Sequence, residues 1–387
     1  VCKALWDAVS SFSLRVGAAD VSGEGWHGVV ERLELMAGRL LLAKLALARA
    51  RRMVAPSYYK LHERYARVSR RNARTVVDTR KGGDPNRDSG RVAVFVHFDR
   101  QGRIDDHVVA YLDSLRAAGF RIWLMSNSPP HSPEAIEKVE PLVSWIHRRN
   151  NYGFDFGAYK DGVLSVLEAG EPNELLLCND SVYGPFRPLS EVLKGATAET
   201  GDIWGMTESF EMVYHLQSYF LLFHRRAIQH RAFVNFWKDA PYVDARGWLI
   251  HHGELAITQG MLKAGLNVRA LFPTEVIGET VRRKVEALEA LQNGRPSKRR
   301  PLSKVDSYRF TLSAELDNGM PLNPTHFFWD ILIEDMGYPF IKRDLLQLNP
   351  ARVPGLSNWR KVIGDETGYD VDLIRRHLLL RMKNRSI

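Results

Sequence analysis

The stretch that decides the fold is Asn150-Asn151-Tyr152-Gly153-Phe154-Asp155-Phe156-Gly157-Ala158-Tyr159-Lys160. Two glycines four apart bracket Phe-Asp-Phe, and Arg148 and Arg149 stand just before it. The β-branched and aromatic run Val143-Ser144-Trp145-Ile146 predicts a short strand leading in, and Ala158 to Leu167 a helix leading out. The stretch is therefore a strand-to-helix turn, and open α/β sheets bind ligands at such turns, outside the carboxyl ends of their strands. Gly153 and Gly157 permit backbone conformations or close approaches that a side chain forbids. The start of the helix offers unpaired N–H groups to an anion. A tight turn with an N-capping Asp155 explains the same residues, so the stretch alone leaves both readings open.

Working outward, the pattern repeats. Val92 to Asp99 is a continuous apolar run, suited to a strand buried on both faces. Asp105 to Ala118 has helical spacing, with Gly119 as its stop. Arg121 to Met125 is the second strand, ending in Ser126-Asn127-Ser128-Pro129-Pro130. Pro133 to Val139 is a short helix, and Val143 to His147 the third strand. Beyond the turn, Glu174 to Cys178 is the fourth strand, ending in Asn179-Asp180-Ser181-Val182-Tyr183-Gly184-Pro185. Strands and helices in alternation predict an α/β fold with a mostly parallel sheet flanked by helices. Further strands are expected at Asp202 to Met206, Gln217 to Phe223 and Asn267 to Phe272, with helices at Arg225 to Lys238 and Glu254 to Lys263.

At 387 residues and net charge +9 the chain has room for a large core and favours an anionic partner, whether nucleic acid, an anionic membrane surface or a phosphorylated substrate. Its basic residues concentrate in the N-terminal segment, around 280–304 and in the tail, without the interleaved aromatics of single-strand binders, which disfavours nucleic acid. The two cysteines, Cys2 and Cys178, cannot staple a fold of this size, and a reducing cytosol is the simplest compartment, at most at the inner face of the cytoplasmic membrane. No eighteen-residue apolar span occurs.

Four regions are expected: a basic helical region over 1–90, the α/β domain over 91–275, a charged linker or loop over 276–320, and a helical segment over 321–387 that completes the site. The Leu/Arg helix from Leu33 to Val54 suits a surface packed on the main domain or on a second copy of the chain, or else peripheral membrane contact. CxxC pairs, HExxH, GxxxxGK[ST] and GxGxxG are all missing, so no motif supports a zinc hydrolase, a P-loop NTPase or a Rossmann dehydrogenase.

Five ordered blocks resemble the rhamnan synthesis protein F family: Val94 to Asp99 with Gly102 to Asp106; Asn150 to Lys160; Asn179 to Pro185; His215 to Phe220; and Asn323 to His326 with Pro339 to Arg343. They span roughly 91 to 350. The resemblance implies bacterial cell-surface polysaccharide assembly (O-antigen, capsule or rhamnan) by a relative of glycosyltransferase family 2 with a GT-A-like fold. It implies a nucleotide-sugar donor, dTDP-rhamnose before GDP- or UDP-sugars, and a lipid-linked or polysaccharide acceptor. Asp180 matches the carboxylate that ends the nucleotide half, and Glu254 matches the catalytic base. The family 2 pattern has two aspartates where Asn179-Asp180-Ser181 has one, so a Mg2+ or Mn2+ at Asp180 is an open expectation.

Inverting glycosyl transfer needs a base for the acceptor hydroxyl, charge to stabilise the departing diphosphate and a pocket that aligns the two substrates. Glu254 and Asp180 are the catalytic candidates. On the donor side stand His97, Asp99, Asn127, Arg149, Asn151, Gly153, Asp155, Gly157, Lys160 and Asn179. On the acceptor or diphosphate side stand Glu208, His215, Gln217, Tyr219, His326 and Lys342. Each also has an ordinary structural explanation: Asx turns for Asn179 and Asp180, a dipole-stabilised acid for Glu254, surface charge for the lysines and arginines. Two other classes compete. A glycosidase would pair Glu208 with Glu254 across a sugar, and a non-catalytic binding module would account for the basic charge alone.

Overall fold

The computed structural model describes residues 56–292 apart from 71, 72, 85 and 87, then 308, 311, 312 and 323–383. The chain divides into two compact units, Val1–Leu61 and His62–Ile387. The first is described only from residue 56, so the Leu33 to Val54 helix lies outside the described residues, as does Lys298-Arg299-Arg300.

The second unit is built on one nine-stranded sheet. Its strands are β1 (Val76–Lys81), β2 (Arg91–His97), β3 (Arg121–Ser126), β4 (Trp145–Arg149), β5 (Glu174–Asn179), β7 (Ile203–Ser209), β8 (His215–Leu216), β9 (Phe220–His224) and β10 (Val268–Phe272). The order is β1-β4-β3-β2-β5-β9-β7-β10, with β8 on β7. β2, β3, β4, β5, β7 and β10 point one way, and β1, β8 and β9 the other. The mostly parallel α/β sheet read from the sequence is therefore present.

β2 is why the sheet carries two cores. Six of its seven residues are buried. Ala93 and Phe95 pack with Val108, Tyr111 and Leu112 of helix α1 (Asp106–Ala117) on one face. Val92, Val94 and Val96 pack with Ala158, Tyr159 and Val163 of α3 (Phe154–Ala169) on the other. A short helix α2 (Pro133–Val139), N-capped by Ser132, bridges β3 and β4. Burying each such Val or Phe side chain stabilises by about 1.5–3 kcal/mol. Gly162 lets α3 close onto the sheet, since a Cβ there would run into Val94.

The chain lays β3 and β4 to one side of β2 and then crosses to place β5 on the other. The carboxyl ends of β2 and β5 thus flank a topological switch point, the place where open sheets of this kind leave a crevice.

Four expectations change. The third strand runs Trp145–Arg149, so Arg148 and Arg149 are strand residues. Val76–Lys81, inside the expected basic helical region, adds to the sheet instead as antiparallel edge strand β1. Its side chains are exposed or half-buried, so it lacks the hydrophobic signal of a central strand. The expected charged linker begins instead as α6 (Thr274–Gln292), which buries Ile277, Val281 and Val285 at four-residue spacing beneath a charged outer face. The expected helix start at Glu254 is not a start: Arg246–Leu249, a π turn over Ile250–Glu254 and α5 (Leu255–Lys263) follow one another as continuous helix. Between β9 and this stretch lies α4 (Arg231–Asp239).

The C-terminal segment contributes α7 (Trp329–Met336), β11 (Ile341–Lys342), α8 (Arg343–Leu348), α9 (Trp359–Thr367) and α10 (Val371–Lys383). β11 pairs with β6 (Val182–Tyr183), just past the tip of β5. Arg343 N–H donates to the Ser181 carbonyl at 2.9 Å, which carries Lys342 and Arg343 to the carboxyl-end rim of the main sheet.

Candidate active site at the carboxyl-end rim

The Gly-Phe-Asp-Phe-Gly turn is held from behind. Gly153 and Phe154 sit at φ 71° and 48°, a left-handed conformation that glycine adopts without strain and that is unusual for Phe154. Gly153 N–H donates to Asp244 Oδ1 at 2.7 Å, and a Cβ on Gly157 would strike the Tyr152 carbonyl. Arg149 is fully buried. Its Nε donates to Asp161 Oδ2 at 2.8 Å, Nη1 to Asn127 Oδ1 at 2.6 Å and Nη2 to the Tyr152 carbonyl at 3.0 Å. Asn127 Nδ2 donates to the Phe154 carbonyl at 3.2 Å, and Tyr242 hydroxyl donates to Asp161. Arg149 and Asn127, expected to meet a donor, instead brace the turn. A buried guanidinium with each of its three nitrogens engaged this way is a structural element.

In front of the turn two carboxylates meet. Asp155 lies in the first turn of α3, and Asn179 Nδ2 donates to its Oδ2 at 3.3 Å. Asp180, next along the β5 tip, is paired with Arg343 at 2.7 Å, and Arg343 also donates to the Asp180 carbonyl. Burial, and after it the charge of Asp180, pushes Asp155 up to about 6, with Arg246, Arg343 and Arg149 pulling back. A first-turn carboxylate normally gains from the helix dipole; here desolvation outweighs that gain. The Ser181 N–H donates to Asn179 Oδ1 at 3.1 Å, so the anticipated Asx turn is present as well.

Glu254 stands on the same rim, next to the turn between β8 and β9 whose Tyr219 carbonyl accepts from Asn179 N–H. Ser218 donates to its Oε1 from both N–H (2.8 Å) and hydroxyl (2.9 Å). Tyr159 hydroxyl donates to the Ser218 carbonyl at 3.1 Å, tying the same turn to α3. Lys342 Nζ lies 3.8 Å from the centroid of the Tyr219 ring. Burial pushes its ammonium down to about 8, while Glu254 and Asp344 pull it up. The dipole argument for Glu254 fails, because the residue is inside a helical stretch and not at its free end. The π turn does the aiming: it adds a residue to one turn and shifts the side chains beyond it.

The other expected residues separate. Asn151 Oδ1 is buried in the turn without a hydrogen-bond partner among the described residues. His97 is buried 3.4 Å from Ser128 Oγ, and burial pushes it down to about 4, leaving it neutral. Asp99 accepts from the N–H groups of Gln101 (2.8 Å) and Arg103 (3.1 Å) and from Arg381 (3.0 Å), so it folds the loop after β2. Lys160 Nζ donates to the Lys238 and Ala240 carbonyls at 3.2 and 2.5 Å, away from the turn. Glu208 accepts from Thr274 N–H at 2.8 Å, which places one of its oxygens at the start of α6. His215 contacts the Val213 carbonyl at 2.8 Å, and Gln217 accepts from Thr207 hydroxyl at 2.6 Å. Tyr219 hydroxyl meets Thr207 Oγ1 (2.9 Å) and Tyr338 hydroxyl (2.5 Å). His326 pairs with Asp344 at 3.1 Å, one residue past Arg343.

Arg343, Arg246 and Ser218 are functional candidates that sequence reading missed. Arg343 lies 163 positions from its partner Asp180, and no local spacing announces such a contact. Among the described residues no three His, Cys, Asp or Glu side chains gather as a metal cage. The opposed pair Asp155 and Asp180 fits the other style of divalent site, in which one or two carboxylates act together with substrate phosphates. A cavity of about 170 Å³ lined by Lys81, Gly82, Arg121, Ser144 and Trp145 lies at the opposite rim and contains none of these residues.

The family model described as rhamnan synthesis protein F matches residues 122–290. That region is similar to the rhamnan synthesis protein F family. The matched region contains the turn, Asp155, Asn179, Asp180 and Glu254, whereas Lys342 and Arg343 lie beyond it. Virulence protein VirA of Vibrio anguillarum is 28% identical over 239 residues, covering 59% of this chain and 72% of VirA. The uncharacterized protein y4gN of Sinorhizobium fredii is 25% identical over 194 residues, covering 49% and 50%. A mannosyltransferase from Pyrobaculum calidifontis, solved in complex with GDP-Man and Mn2+, aligns over 71% of this chain and 82% of its own at 11% identity and TM-score 0.28. A likeness that loose gives no residue correspondence. Among the described residues no helix is long and apolar enough to cross a membrane.

Proposed function

We propose that the protein is an inverting glycosyltransferase of GT-A type that moves a sugar, rhamnose first among the choices, from a nucleotide-sugar donor to a growing cell-surface polysaccharide. What carries the reading is the meeting of Asp155, Asn179, Asp180 and Glu254 on one rim, at and beside the switch point, with Lys342 and Arg343 delivered to the same place. The family match supports polysaccharide synthesis as the setting.

The donor diphosphate lies against Lys342, Arg343 and Arg246, which neutralise charge as it develops on the leaving group. Asp155 and Asp180 sit opposite these cations. They are the residues that would hold a divalent ion arriving with the diphosphate, whose chemistry would be to stabilise the same leaving charge. Ser218 fixes Glu254 through Oε1, leaving Oε2 to take the acceptor hydroxyl proton. As that proton leaves, the acceptor oxygen bonds to the anomeric carbon. The carbon–oxygen bond to the diphosphate breaks on the opposite face, and the electron pair departs with the nucleoside diphosphate.

The test is a thermal-shift panel of dTDP-rhamnose, UDP-sugars and GDP-sugars on wild type and Asp180→Asn. A ligand that binds only the native state raises the melting temperature. We expect one donor class to stabilise wild type and to lose its effect in the variant. Equal stabilisation of both proteins removes Asp180 from the donor site, and no stabilisation by any donor removes the reading.

A further inference from the structure

A second feature on the same rim turns apolar side chains outward. The tip between β7 and β8, Phe210-Glu211-Met212-Val213-Tyr214, exposes Phe210 at 50%, Met212 at 61% and Val213 at 44%. The rings of Phe210 and Tyr214 lie 5.3 Å apart at 56°, forming one open aromatic corner. Met212 holds φ 71°, a strained conformation for a side-chain-bearing residue. Exposed apolar side chains gathered in one place mark an interaction site.

The tip is joined to the candidate base by one helix. Glu254 accepts from Ser218, and five residues later on the same stretch Gln259 Nε2 donates to the Tyr214 carbonyl at 2.7 Å. At about 1.5 Å per residue the two anchor points are roughly 7.5 Å apart along the axis, one to two sugar rings.

Its size and charge select the occupant. Three exposed side chains fall far below the roughly 1,200–2,000 Å² that a stable protein interface buries. Glu211, exposed at the centre of the tip, would be carried into any bilayer the tip entered, at a desolvation cost. A carboxylate beside aromatic rings suits a sugar instead: the rings cover the apolar C–H face and the carboxylate accepts from hydroxyls. We propose that Phe210–Tyr214 is a sugar-binding platform for the acceptor polysaccharide. This rests on the glycosyltransferase reading and adds to it the place where the acceptor chain lies.

The experiment uses the full chain and the double variant Phe210→Ala with Met212→Asn. Both positions are exposed, and asparagine tolerates the left-handed conformation at 212, so folding is kept. Binding to an array of bacterial polysaccharide fragments is compared with the dTDP-rhamnose thermal shift, and flotation with phosphatidylcholine–phosphatidylglycerol vesicles runs in parallel. The expected result is at least a tenfold weaker signal for the bound fragments with an unchanged donor shift. Fragment binding equal to wild type, no fragment bound by wild type, or loss of vesicle flotation alone overturns the platform. Failure of the glycosyltransferase reading would appear separately, as absence of any donor shift in wild type.

Discussion

The two sides of the carboxyl-end rim hold their carboxylates by opposite means. On the donor side Asp155 and Asp180 face one another, and their charge is met by arginines, chief among them Arg343 from a remote segment. On the other side Glu254 accepts from Ser218, through N–H and hydroxyl, both to one oxygen, with the Lys342 ammonium as its cationic neighbour. The first arrangement makes one acid costly to ionise and attracts cations or a phosphate-bound ion. The second fixes a carboxylate while leaving an oxygen for chemistry. A site that must hold a diphosphate and also remove a proton has use for both.

Removing the base should give the largest effect. Glu254→Gln keeps the Ser218 contact at Oε1 and the donor thermal shift, and turnover should fall by about two to four orders of magnitude. Turnover within a few-fold of wild type would transfer the role across the rim to Asp155, because Asp99 and Glu208 are engaged in building loops.

A stability measurement sharpens the contrast between what touches ligand and what stands behind. Arg149→Met leaves Asp161 buried without its ion-pair partner, so urea unfolding should show a loss of about 3–5 kcal/mol. A loss under 1 kcal/mol would mean that the turn is braced by other contacts and would reopen Arg149 as a ligand.

The smallest expected effect is a pH signature of the donor side. Asp155 is raised from 3.8 to about 6, so the native state binds this proton more tightly than the unfolded chain does. The stability this contributes is fully present below the unfolded value and is lost as pH rises through about 6. The stability of wild type relative to Asp155→Asn should therefore decline between pH 4 and about 6, then level off. A flat difference across that range would show that burial and the charge of Asp180 do not raise Asp155.

The sequence by itself determined the parallel half of the sheet and the turn at its centre. Val92–Val96 and Leu175–Cys178 are apolar without interruption because both faces are covered, and Gly153 and Gly157 punctuate where side chains cannot fit. Such signals are local, since hydrophobic period and glycine position act within one strand or one turn. Asp180, Asp155 and Glu254 were named from the same kind of signal with the family resemblance beside it. Only the tertiary structure decided what these residues do to one another. It turned Arg149, Asn127, Lys160, Asp99 and Glu208 into supports, because a polar side chain that is buried takes whatever partner is nearest, and the partner is fixed by packing. It placed Glu254 at the end of a π turn that no periodicity announced. It brought Arg343 to Asp180 across 163 positions through a two-residue pairing of β11 with β6, a contact set by chain topology and invisible to any window of sequence.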